Sequence, residues 1–125
     1  ARFNFRYSTN WDYLGLQSEV EAIFDRADID YELRWHLSGE PFLTEPGALT
    51  DAVSAAVAAE TGSAPELSTS GGTSDGRFIA PYGIDVVELG PLNKTIHKVN
   101  EEVAIDDLLA LERIYLSIAE RLLLA

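Results

Sequence analysis

The feature that constrains this chain most is a change of hydrophobic period inside residues 2–37. Phe3, Phe5 and Tyr7 alternate with Arg2, Asn4, Arg6 and Ser8, a period of two that fits a strand with one buried face. Leu16, Val20, Ile23, Phe24 and Ala27 then recur at three- and four-residue spacing, the stripe of an amphipathic helix. Thr9, Asn10 and Asp12 supply turn and N-cap chemistry ahead of it. Tyr31, Leu33, Trp35 and Leu37 return to alternation against Glu32, Arg34 and His36. The expectation is a strand–helix–strand unit, and if its strands share a sheet, the helix makes their connection a crossover.

Gly39, Pro41, Pro46 and Gly47 mark residues 38–47 as the best linker candidate. Beyond it, Leu49, Val53, Ala56 and Val57 predict an Ala-rich helix over 49–59, and a short strand is expected at 66–69. One helical turn is expected at 77–80, ended before Pro81 and Gly83. A buried strand follows over 84–89. Leu108, Leu109, Leu111, Ile114, Tyr115, Ile118 and Leu122 predict a terminal helix over 106–124, with Asp106 and Asp107 at its dipole-favoured start. The expected class is therefore α/β or α+β, with no internal repeat.

Composition excludes several functions. With 9 Lys+Arg against 21 Asp+Glu, the net charge of −12 repels phosphate backbones, which argues against nucleic-acid binding. The absence of Cys removes disulfides, thiolate metal sites and Cys nucleophiles. No apolar run approaches ~18 residues, so no membrane span is expected, and the cytoplasm is the expected location. The chain has no Met and starts at Ala1 in a strand-like pattern, so a trimmed start or a piece of a longer protein is expected.

Two polar loops are long enough to carry chemistry. In Ser70-Gly71-Gly72-Thr73-Ser74-Asp75-Gly76, paired glycines let backbone N–H groups approach an anion, and Thr73 and Ser74 add hydroxyls. The same residues also read as a flexible turn capping a short helix. No Lys follows at Walker spacing. The second loop, 91–101, holds His97 after the strand expected at 84–89, where α/β sheets place ligands. An imidazole there can ligate zinc or move protons, and it can equally be a surface histidine. His36 alternates outward. No Gly-x-Ser-x-Gly elbow and no second zinc-ligand spacing accompany His97, so no complete site can be assembled from spacing.

At these loops the chain resembles a known family. The runs 70–80, 86–91 and 93–101, with Asn4-Phe5-Arg6-Tyr7-Ser8-Thr9 and Trp35-His36-Leu37-Ser38-Gly39-Glu40-Pro41-Phe42-Leu43, are similar to the dinuclear zinc aminoacylase/carboxypeptidase family of metallopeptidase-like hydrolases. The resemblance covers essentially the whole chain in order. It implies hydrolysis of a small-molecule N-succinyl amino acid on the bacterial route to lysine and diaminopimelate, with two zinc ions per complete site. It places a zinc ligand on His97, a substrate-carboxylate clamp on Arg6, and substrate contacts on Ser38, Gly72, Thr73 and Asn93. It also implies that the catalytic glutamate, the other zinc ligands and the bridging aspartate lie upstream. Residues 1–40 then correspond to the end of a lid or dimerisation domain, and 41–125 to the C-terminal part of the catalytic domain. A homodimer through the lid region is implied, and the 125-residue segment alone is expected to be inactive. The alternatives are a non-catalytic dimerisation or interaction module, and a related amidohydrolase acting on another N-acyl substrate.

Overall fold

The computed structural model describes residues 1–70, 72–92 and 94–124. Among them are three α-helices, α1 (Tyr13–Arg26), α2 (Ala48–Thr61) and α3 (Ile105–Leu123), and two short 3-10 turns at Asp75–Phe78 and Ala80–Tyr82. No described helix is long and apolar enough to cross a membrane. Two compact units divide the chain. The first is Ala1–Leu43 with Asp75–Ile84, and the second is Thr44–Ser74 with Asp85–Ala125.

The three helices form where their periodicity places them. The Asp12 carboxylate caps α1, accepting from the Gly15 N–H at 2.6 Å. The Thr50 hydroxyl starts α2, accepting from the Gly47 N–H at 2.8 Å and donating to the Gly47 carbonyl at 2.9 Å. Gly62 ends α2 at φ 77°, a left-handed conformation that glycine adopts without steric penalty. Asp106 and Asp107 sit in the first turn of α3, complementing its dipole.

The strands expected at 2–8, 31–37, 66–69 and 84–89 are not formed: no described segment makes a β-ladder. The α/β class and the β-α-β piece are therefore corrected to a helical arrangement with irregular connections among the described residues. The reason is physical. A helix closes its hydrogen bonds inside one segment, whereas a strand needs a second backbone about 4.8 Å away. The alternation still leaves a trace: Tyr31, Leu33 and Trp35 are half-buried, while Glu32, Arg34 and His36 are exposed.

The second unit has a true core. Ala52, Val53, Ala56 and Val57 on α2 pack with Ile114 and Ile118 on α3, and Leu49, Val87 and Leu89 close around them. Four alanines and valines on one face let the helices approach closely. Arg113 on α3 reaches the Glu60 carboxylate at the end of α2, and the Tyr115 hydroxyl donates to the Leu89 carbonyl. The Thr44 hydroxyl holds the 86 position from both sides, donating to the Val86 carbonyl at 2.6 Å and accepting its N–H at 3.1 Å.

The first unit buries far less. Val20 is its one buried apolar residue, and Leu14 and Ile23 on the same helix are 69% and 51% exposed. Aromatic pairs substitute for a core: Phe5 with Trp35 at 6.0 Å and Phe24 with Tyr31 at 5.1 Å between ring centroids.

Candidate functional site

In the first unit, the residues around Arg6 and Ser38 are tied side by side. The Phe5 ring meets Trp35, and the Tyr7 hydroxyl donates to Glu40 Oε2 at 2.9 Å. These two contacts run 5 to 35 and 7 to 40, so the two irregular segments travel in the same direction. Arg6 lies between the anchors Phe5 and Tyr7 of one segment and Ser38 between Trp35 and Glu40 of the other, both exposed. Burial and then the hydrogen bond to Glu40 push the Tyr7 phenol up to about 12, so it stays a neutral donor.

Gly39 explains how Arg77 is seated. A Cβ on Gly39 would stand 2.6 Å from Arg77 Cδ, so any larger residue there would force the Arg77 stem to shift. The Arg77 guanidinium lies over the Phe78 ring, 4.7 Å from its centroid, and its buried Nε has no hydrogen-bond partner. Nothing in the spacing of residues 39 and 77 signals this contact, since Gly39 falls in the stretch read as a linker and Arg77 opens the helical turn expected over 77–80.

In the second unit, Gly72 and Thr73 are exposed, and open space surrounds the position a Gly72 Cβ would take. Asn93, expected to touch substrate, lies outside the described residues. His97 stands exposed in a loop, at φ 59°, a left-handed conformation uncommon for a non-glycine residue. Asn100 shares it at φ 62°. The loop is laced at its base. The Thr95 hydroxyl donates to the Glu102 carbonyl and accepts the Glu102 N–H, both at 2.9 Å. The Lys98 N–H donates to the Thr95 carbonyl at 3.0 Å, and Lys98 Nζ donates to the Lys94 carbonyl at 3.1 Å.

Thr95 and Glu102 also line a shallow depression of about 150 Å³, with Leu92, Lys94, Val103, Ala104 and Asp107. That is smaller than the roughly 300–1,000 Å³ of ordinary ligand sites. Sequence reasoning missed Thr95, because its role rests on a bond to a residue seven positions away.

The donor chemistry at His97 suits zinc, which accepts imidazole nitrogen. Among the described residues, however, no three His, Asp or Glu side chains gather where they could hold a metal. Zinc takes three or four protein ligands, so these residues offer one donor and not a centre.

Comparison with known proteins fits this incomplete set. The model of peptidase family M20/M25/M40 matches residues 6–121, and the chain belongs to that family. Its relatives include proteins named succinyl-diaminopimelate desuccinylase. The one from Nitrosococcus oceani is 60% identical over 121 residues, covering 97% of this chain and 32% of that protein. The Thioalkalivibrio sulfidiphilus protein is 57% identical, with the same shares covered. The Bordetella avium protein is 55% identical over 125 residues, all of this chain and 33% of that protein. The chain thus spans about a third of the length of these relatives.

Proposed function

We propose that this chain serves as the C-terminal portion of a succinyl-diaminopimelate desuccinylase, which hydrolyses N-succinyl-LL-diaminopimelate to succinate and LL-diaminopimelate. The observation that carries this reading is 60% identity to a protein of that name across 97% of the chain. Residues 1–40 would belong to the lid or dimerisation domain and 41–125 to the catalytic domain.

In this reading His97 is one ligand of a zinc pair completed by residues outside the chain, and zinc, when bound, supplies Lewis acidity. Arg6 offers a planar guanidinium that can grip a substrate carboxylate through two parallel hydrogen bonds. Its exposure leaves those donors available. Ser38, Thr73 and Asn93 add hydrogen-bonding side chains, and Gly72 adds a backbone N–H. The 125-residue chain alone is inactive, because one imidazole without a positioned base cannot activate water.

The test is a chimera in which this chain replaces the matching third of the Nitrosococcus oceani protein. Hydrolysis of N-succinyl-LL-diaminopimelate in preference to N-acetylornithine is expected, with one zinc lost in His97→Ala. A folded chimera inert toward the succinyl substrate would overturn the reading.

A homodimer through the lid region is the second part of the proposal. It is supported by Phe3, Trp11, Leu14 and Ile23, which stay 60%, 45%, 69% and 51% exposed on the first unit. A strictly monomeric chimera in light scattering would remove it.

A further inference from the structure

We infer that α3 carries a second apolar face, opposite its seam with α2, which docks against the upstream portion of a longer enzyme. The inference rests on the reading of this chain as the C-terminal part of such an enzyme, and it names a surface through which that part is held.

Two sides of α3 are apolar. Ile114 and Ile118 look into the core shared with α2. Ile105, Leu109, Leu116 and Leu123 recur at spacings that return to one line of the helix, and all four are exposed. The two lines are far apart. Leu116 stands two positions after Ile114, which is about 200° round the helix axis. It is 60% exposed where Ile114 is 6% exposed. Ala119 continues the stripe between Leu116 and Leu123. The stripe runs from the first residue of α3 to the last, so it is a continuous face and not a scattered leucine. The partner helix differs: α2 turns Asp51, Ala55 and Ala59 outward, an ordinary solvent face. A helix that is apolar on opposite sides is one that is covered on both.

Three kinds of surface can cover such a face, and the residues choose among them. No described helix is long and apolar enough to cross a membrane. Helices that lie on membranes ring their apolar face with Lys and Arg, whereas Glu112 interrupts this stripe and Glu120 borders it. A second copy would bring the same two glutamates to the same stripe, on a chain whose net charge is already −12. The remaining surface is the rest of the enzyme, since the chain spans about a third of the length of its relatives. Its docking segment is apolar, with a Lys or Arg placed to meet Glu112.

The chain has no cysteine, so a thiol placed on the stripe reports access to it. Leu116→Cys is alkylated in the 125-residue chain and in the chimera, and the labelled peptide is identified by mass spectrometry. Fast labelling is expected in the chain alone at every protein concentration. In the chimera, labelling should be roughly tenfold or more slower than in denaturant, because reaction waits for local opening. Ala119→Cys, a smaller change on the same face, should give the same pair of results and serves where Leu116→Cys impairs folding. A thiol labelled as fast in a folded chimera as in the chain alone overturns the docking face, and hydrolysis of the succinyl substrate by that chimera leaves the functional reading standing. Labelling of the chain alone that slows as its concentration rises makes a second copy the occupant and also overturns the proposal. Slow labelling in a folded chimera that is inert toward the succinyl substrate supports the face and overturns the functional reading. Helix content measured alongside separates an open face from a chimera that has not folded.

Discussion

The two compact units are built from one chain, yet only one of them closes a core. In Thr44–Ser74 with Asp85–Ala125, α2 and α3 bury six apolar side chains against each other. In Ala1–Leu43 with Asp75–Ile84, Val20 is the one buried apolar residue, and aromatic pairs bridge otherwise irregular segments. The difference lies in what each pattern needs. A helix with an apolar stripe needs one other helix. A segment with alternating apolar residues needs a neighbouring strand on its edge and a layer on its face.

The largest effect that could break this contrast is in the core. Ile114→Ala should lower stability by about 2–5 kcal/mol, since the 6% exposed side chain leaves a cavity between α2 and α3. Leu14→Ala, on the exposed flank of α1, should change stability by no more than about 0.5 kcal/mol. Denaturant unfolding followed by circular dichroism compares them, and equal losses would mean that the first unit owns a core as well.

Gly39→Ala comes next. The new methyl meets Arg77 Cδ at 2.6 Å, and the first unit should lose about 1–3 kcal/mol. Arg77→Ala in the same molecule should cancel most of that loss, because the two sites share one contact. Additive losses would show that Gly39 is required by its own backbone.

A smaller effect sharpens the picture of the first unit at high pH. The hydrogen bond to Asp25, and then burial, push the Tyr31 phenol from 10.0 up to about 12. A raised folded value means the contribution is complete below about 10 and is lost as pH rises through about 12. Tyr31→Phe should therefore flatten the stability profile across that window, and an unaltered slope would contradict the assignment.

The smallest effect belongs to the second unit at low pH. The Arg113 guanidinium holds the Glu60 carboxyl below its ordinary 4.5. Its contribution is present above that value and fades as pH falls through the lowered one. Glu60→Gln should make the acid limb shallower, with little change at neutral pH, because the pair is largely solvated. A large loss at neutral pH would show that this pair, and not the apolar seam, holds α2 to α3.

The residues themselves determined the three helices, because spacing, caps and hydrogen bonds all lie within one segment. The stripe ending at Ala27, the Asp12 cap and the Asp106-Asp107 start could each be read from neighbours within four positions. Of the candidate site, the loop imidazole of His97 and the paired-glycine loop were legible in the same way, whereas Arg6, Ser38 and Asn93 entered only through the resemblance to a family. Tertiary structure alone decided that the alternating segments form no ladder, since pairing depends on a partner distant in sequence. It alone seated Arg77 on Gly39, 38 positions away, and joined the 75–84 segment to the first unit. It alone placed His97 in a left-handed conformation and joined the Thr95 hydroxyl to the Glu102 backbone. Local hydrogen bonds are written in spacing, and contacts between distant residues exist only once the chain has folded.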